Sequence, residues 1–447
     1  MREGGPAGAL FTDLYEITMA QTYWRHGISK EAVFETFFRT LPQQRSFALC
    51  AGLADVVDFL EGFHFTEDEL SYLQGQGQFS SEFLAALREV RFTGDLWAIP
   101  EGTVVFGGEP MVRVVAPILE AQLFETLILN QIHLQTVIAS KAARVILAAG
   151  GRQVVEFGAR RSHGTDAAMK LARTSYLAGA AGTSNLLAAM RYRIPAFGTM
   201  AHSFVQIFDD EGEAFETFAT SNPGTTLLVD TYDTLAGVDR VIELARKLGP
   251  AFDVRAIRLD SGDLAALSRG ARARLDRAGL QSVGIFASSG LDEWSVDALL
   301  QGGAPIDGFG VGTSLGASVD APTLDLVYKL VEYDGRGRTK LSSEKVLHPG
   351  PKQVHRRSDR GIFSGDVIGH ADEALPGEPL LVQIMKDGRR LPGVDLGLEA
   401  ARTRAREQLA SLPRELCTLA PPAAPYPVQF SERLQRELEA LEAEHER

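Results

Sequence analysis

From residue 153 to residue 311 short apolar runs alternate with amphipathic helical stretches, and this rhythm leaves few folds open. The runs are "QVVEF" (153–157), "IPAFG" (194–198), "TLLVD" (226–230), "VRAIRLD" (254–260), "VGIFAS" (283–288) and "IDGFGV" (306–311). Between them lie stretches such as "TLAGVDRVIELARKLG" and "DLAALSRGARARLDRAG". Strand and helix in turn, at a spacing of roughly thirty residues, mark βαβ units on a parallel sheet. The runs are apolar on both faces, as strands covered on both sides must be. Six in one region favour a parallel α/β barrel over an open sheet.

The flanks read differently. Residues 12–24 predict a helix that Thr12 or Asp13 can cap, and residues 31–40 predict an aromatic-rich strand. Residues 53–90 are mostly helical, with Thr66 as an N-cap. Residues 96–117 carry the Gly and Pro punctuation of strands and tight turns. Residues 118–149 are apolar-periodic without Gly or Pro and predict one long helix or two abutting ones. A hairpin is expected around Asp334-Gly335, then short strands, and helices over 398–412 and 429–446. The segments are therefore 1–117, an N-terminal α+β domain, 118–325, the barrel, and 326–447, strands and helices that partly join the N-terminal domain.

In a βα barrel chemistry gathers at the C-terminal strand ends. Here those ends are polar. They yield Glu156-Phe157-Gly158 and Arg160-Arg161, then Gly198-Thr199 and His202, then Asp230 and Asp233. Next come Arg258 and Asp260-Ser261-Gly262-Asp263, then Ser288-Ser289-Gly290 and Asp292, then Gly310-Val311-Gly312-Thr313-Ser314. For Asp233, Asp263 and Asp292 the first reading is helix capping. "GFGVGTSLG" suits a phosphate, since its glycines admit close approach and its amides can donate. "ASSG", with Gly290, is a second, weaker phosphate turn. Asp260 is placed to accept hydrogen bonds from ribose hydroxyls. Arg258, two residues earlier on the same face, suits a carboxylate or an aromatic ring, against a structural ion pair as the alternative.

The formal net charge of −13 argues against a nucleic-acid surface. No apolar run is long enough for a membrane span, and the first residues lack a signal-peptide core, so the expected compartment is the cytoplasm. Cys50 and Cys417, the only cysteines, suggest neither a disulfide framework nor a zinc site.

Read together, "TDLYEITMAQ", "FFRTLP", "EGTVVFGGEPMVRV", "EFGARRSHG", "GTSN", "GTMAHSF", "LLVDTYDTL", "RLDSGDL" and "PIDGFGVGTSL" resemble the nicotinate phosphoribosyltransferase family, in family order over about residues 11–331. The resemblance implies an irregular parallel α/β barrel beside a smaller α+β domain built from N- and C-terminal segments. It implies formation of nicotinate mononucleotide from nicotinate and phosphoribosyl pyrophosphate, coupled to ATP hydrolysis, in a homodimer with composite sites. His202 would be phosphorylated. Tyr15, Thr199 and Arg258 would contact nicotinate, Phe157 would stack on its ring, Asp260 would hold the ribose and Thr313 the 5-phosphate. Arg160, Arg161 and Lys141 are candidates for the diphosphate, with magnesium bridging. ATP has no GxxxxGK[ST] loop here, so its phosphates are expected in the same anionic pocket. Departures such as Ser162 and Trp294 touch nothing central.

Three other readings are open. A nicotinamide-using relative would carry an aspartate where Ser184 stands, and that carboxylate would repel nicotinate. A Schiff-base aldolase on Lys141 fits poorly, because Lys141 lies in a helical stretch. A non-catalytic barrel binding pyridine nucleotides is opposed by an intact His202.

Overall fold

The computed structural model describes residues 8–341 and 346–445. They divide into two compact units, Met1–Ser140 with Ala321–Arg447, and Lys141–Asp320. The limits fall elsewhere than the segments read from sequence. The first lies inside the helix Glu125–Ala148. The residues from Ala321 on belong to the first unit.

Strand pairing gives the reason. Glu31–Phe38 pairs antiparallel with Val112–Pro117 on one side and Leu326–Tyr333 on the other. It is the third strand of a seven-stranded sheet that further takes in Asp95–Ala98 and Val382–Lys386. Almost the whole of Glu31–Phe38 is buried, which suits its run of apolar and aromatic residues. Phe34 stacks on Tyr328 with centroids 4.7 Å apart, and the Tyr328 hydroxyl donates to the Ala121 carbonyl at 2.8 Å. A four-stranded sheet built on Lys352–Asp359 and Ile362–His370 belongs to the same unit. The stretch after Pro117 is two abutting helices, Ile118–Leu123 and Glu125–Ala148. Thr66 caps Glu67–Gly75 with a reciprocal capping box, whereas Asp13 precedes Leu14–Arg25 without a side-chain cap bond.

The second unit is a parallel sheet in the order Gly182–Thr183, Gln153–Glu156, Gly308–Val311, Gly284–Ala287, Val254–Leu259, Thr225–Leu228. It curls into a half-barrel. The expected strand over 194–198 is absent as a strand; a single bridge, Thr183 to Ala196, stands in its place. Pro195 has no N–H to give a ladder, although its carbonyl accepts from Thr183. The strand that does form, Gly182–Thr183, is too short to leave an apolar run in the sequence. The intervening helices bury one stripe each: Val238, Val241 and Ile242 on Thr234–Leu248, and Leu264, Ala271 and Leu275 on Leu264–Arg277. Asp233, Asp263 and Asp292 cap three of them, accepting from Ala236, Ala266 and Ser295 at 2.8, 3.0 and 2.8 Å. Among the described residues no helix is long and apolar enough to cross a membrane.

Candidate active site

The strand Val254–Leu259 has parallel neighbours on both sides, so the backbone under Arg258 is fixed by two ladders. The guanidinium is mostly buried and its donors are aimed. Nε donates to Ser288 Oγ at 3.0 Å, Nη1 donates to Thr199 Oγ1 at 2.5 Å, and Nη2 lies 3.2 Å from Asp260 Oδ2. The ion pair weighed as the alternative for Arg258 therefore exists, and it lies within the site. Ser288 also donates to Asp260, tying the carboxylate to a neighbouring strand end.

His202 opens the short helix His202–Gln206. Its Nδ1 is 3.2 Å from Thr231 Oγ1, and its Nε2 is 3.7 Å from Asp260 Oδ2. The ring thus has a polar neighbour at each nitrogen while 40% of the side chain stays exposed. Asp230 supports this arrangement from below. Its Oδ2 accepts the Asp260 N–H at 2.8 Å and the Ser261 hydroxyl at 2.7 Å, which sets the turn that presents Asp260. Thr231 was not singled out from sequence, and Ser288 was named only within the Ser288-Ser289-Gly290 strand end. Their signal is position, Ser288 one residue and Thr231 three residues beyond a strand.

Phe157, Arg160, Ser184, Thr199, His202, Arg258 and Asp260 all line one cavity of about 480 Å³. Phe157 and Thr199 also wall a second cavity, of about 370 Å³, in the bore of the half-barrel. Close packing of glycine holds Phe157 there: a Cβ on Gly310 would lie 2.6 Å from its ring. Gly312 touches the same turn, since a Cβ there would meet the Phe157 carbonyl oxygen at 2.9 Å. Arg161, Gly290, Gly312 and Thr313 sit on turns at strand ends without lining the larger cavity. In "ASSG" the backbone is left-handed at two successive residues, Ser289 at φ 96° and Gly290 at φ 59°.

Lys141 requires a correction. Its ammonium is buried and ion-paired with Glu293 and with Asp320, the latter at 2.6 Å, and it lies 4.7 Å from the Trp294 ring centroid. Arg144, one turn on, meets Glu293 at 3.1 Å. Lys141 is a structural cation and is absent from the cavity lining, so neither a diphosphate nor a Schiff base is its business. Lys141→Met is expected to lower stability by about 3 kcal/mol, because it strips a cation from two buried carboxylates. A thermal melt checks this, and the folded fraction should keep its substrate KM values.

Tyr15 belongs to the first unit, 44% exposed on Leu14–Arg25. Its hydroxyl bonds the Glu125 carboxylate, and burial together with that carboxylate pushes its pKa up. The same unit holds a cavity of about 180 Å³ with Arg39, Lys329 and Lys340 against one carboxylate, Asp325.

Comparison with known proteins agrees with this geometry. Residues 10–133 match the nicotinate phosphoribosyltransferase N-terminal domain, and residues 152–342 match the nicotinate phosphoribosyltransferase family. "Nicotinate phosphoribosyltransferase pncB2" of Mycobacterium tuberculosis is 64% identical over 434 residues, covering 97% of this chain and 94% of that protein. The Bacillus subtilis nicotinate phosphoribosyltransferase is 46% identical, over 82% of this chain and 77% of that protein. The crystal structure of human nicotinic acid phosphoribosyltransferase superposes with a TM-score of 0.84 at 30% identity, covering 96% of this chain and 99% of that one. With two family matches spanning most of its length and relatives this similar end to end, the chain belongs to the nicotinate phosphoribosyltransferase family.

Proposed function

We propose that this nicotinate phosphoribosyltransferase, a member of the NAD salvage machinery, runs its reaction in the 480 Å³ cavity and couples it to ATP through His202. The observation that carries the reading is the convergence of His202, Asp260, Arg258 and Thr199 on one polar wall, with Phe157 and Arg160 completing it. The nicotinate carboxylate takes the charge of Arg258, and its ring lies against Phe157. The pyridine nitrogen attacks C1 of the ribose as the C1–O bond to diphosphate breaks. No strong base is needed, because the nucleophile has its own lone pair. Arg160 and Arg161 neutralise the departing diphosphate, Asp260 accepts from the ribose hydroxyls, and the Gly312–Thr313 turn receives the 5-phosphate.

In the ATP half-reaction a ring nitrogen of His202 attacks the γ-phosphorus, an N–P bond forms, and ADP leaves with the β–γ bridging oxygen. The attacking nitrogen is the one left unprotonated in the neutral ring, whose Nδ1 faces Thr231 and Nε2 faces Asp260. Water later cleaves the phosphohistidine to phosphate. Among the described residues no three His, Cys, Asp or Glu side chains converge on a metal position. Magnesium is expected to travel with the phosphates of the two substrates. The direct test is to follow labelled nicotinate into the mononucleotide with and without ATP. Failure to make the mononucleotide from phosphoribosyl pyrophosphate would overturn the reading.

The site is proposed to be completed across a homodimer in the cytoplasm, with Tyr15 of one subunit serving the half-barrel of the other. The partly exposed Tyr15 and the cationic Arg39 cavity, both in the first unit, support this. Mixing Tyr15→Ala with His202→Ala is then expected to restore activity, because one site per mixed dimer holds both intact residues. Equal mixing with free exchange gives about one quarter of the wild-type sites. No recovery despite proven subunit exchange would place Tyr15 at its own subunit's site or at none.

A further inference from the structure

Glu156 ends the strand Gln153–Glu156, and its side chain is fully buried. Among the described residues it has no ion-pair partner, so burial pushes its pKa up. Three donors hold it instead. One carboxylate oxygen accepts the Gly158 N–H, and the Ala159 N–H also donates to the carboxylate. The other oxygen accepts the Thr183 hydroxyl at 2.5 Å. Thr183 Oγ1 in turn accepts the Asn185 N–H at 3.0 Å, and the Ser184 N–H donates to the Glu156 backbone carbonyl at 3.0 Å.

These donors come from two different turns. One, the single helical turn Ala159–Arg161, carries Arg160; the other, just beyond Gly182–Thr183, carries Ser184. Both line the larger cavity. An apolar or amide residue of similar size could fill the space, but only a carboxylate accepts on both oxygens at once. A buried carboxylate without a cation is costly, and such a group is kept where its donors must be held in register.

We propose that Glu156 is a positioning residue for the transfer reaction, its carboxylate coupling the Arg160 turn to the Ser184 turn so that leaving group and pyridine are held at a set separation. This rests on the roles proposed above, with Arg160 at the diphosphate and Ser184 near nicotinate. An in-line displacement is sensitive to that separation, and a shift of about 1 Å costs on the order of 10²-fold.

The test is steady-state kinetics of the full-length enzyme with each substrate varied, alongside thermal melts. Arg160→Ala and Ser184→Ala first establish which substrate each turn serves. If neither changes a KM or kcat, the assigned roles fail, whatever Glu156 does. Thr183→Val removes the hydroxyl that Glu156 holds and keeps the shape of the side chain. It is expected to act like Ser184→Ala, raising the nicotinate KM about tenfold while the phosphoribosyl pyrophosphate KM stays put. Glu156→Gln loses one acceptor, and it is expected to lower kcat by on the order of 10²-fold and to raise both KM values. Glu156→Asp, which keeps the charge, should recover part of kcat. Should Glu156→Gln not fold, Thr183→Val and Glu156→Asp carry the test. Folded variants with wild-type kcat and both KM values unchanged overturn the proposal, as does a lowered melting temperature with unaltered kinetics, which marks a purely structural staple.

Discussion

His202→Ala is expected to abolish ATP-stimulated synthesis, a fall on the order of 10³-fold, and to leave slow transfer that ATP does not accelerate. The geometry makes this a clean loss. Asp260 does not depend on His202, since Arg258 and Ser288 hold it from the other side. Asp230 fixes the turn beneath it through the Asp260 N–H and the Ser261 hydroxyl. Removing the imidazole therefore takes away the proposed phosphoryl acceptor and leaves the substrate cavity standing. Two measurements separate the half-reactions. Wild-type protein should retain radiolabel from the γ-phosphate of ATP in alkali and release it in acid, as a phosphoramidate does, and the variant should retain none. Mononucleotide formation without ATP should be about equal in the two proteins. An alanine variant that is still fully stimulated by ATP would remove His202 from the mechanism.

The legible parts of this chain were those where chemistry and local geometry coincide. Arg258 lies on a strand and Asp260 one residue past its end, and the two meet at 3.2 Å. Asp233, Asp263 and Asp292 follow strands and precede helices, and they cap. His202 follows a turn at the same rim and joins the same cavity. What escaped depends on distant partners. Lys141 looks like a free cation within an apolar helix, and nothing nearby announces Glu293 or Asp320. The partner of the Glu31–Phe38 strand at Leu326–Tyr333 lies in the C-terminal part of the chain, so a boundary drawn from local pattern splits one sheet between two segments. "IPAFG" has the composition of a strand, yet Pro195 denies it a ladder, while Gly182–Thr183 pairs with no apolar signature at all. The Glu156 carboxylate was visible only as a polar strand end. Its donors are two backbone amides and a hydroxyl, and sequence does not show where backbone amides point.

Arg258→Ala is expected to lower kcat/KM for nicotinate by on the order of 10³-fold, about 4 kcal/mol, and to erase the preference for the acid over the amide. Two effects combine. The guanidinium is the cation at the centre of the polar wall, and a charge-assisted pair with the substrate carboxylate is worth about 1.5–3 kcal/mol. Its loss also leaves Asp260 without the cation 3.2 Å away, with Asp230 close behind it through the Asp260 N–H. The cavity then presents negative charge to an anionic substrate, whereas the neutral amide meets no such repulsion. Arg258→Lys keeps the charge without the planar fork that reaches Ser288, Thr199 and Asp260 together. It should hold the preference for the acid and lose about tenfold in rate. Ser184→Asp tests the same electrostatics by adding a carboxylate to the cavity while Arg258 stays in place, and it should weaken nicotinate more than nicotinamide. Competition between the two ring compounds, read as the ratio of their kcat/KM values, checks all three variants. An unchanged ratio in Arg258→Ala would mean that selectivity comes from another cation, and Arg160, on the same cavity, would be the next to remove.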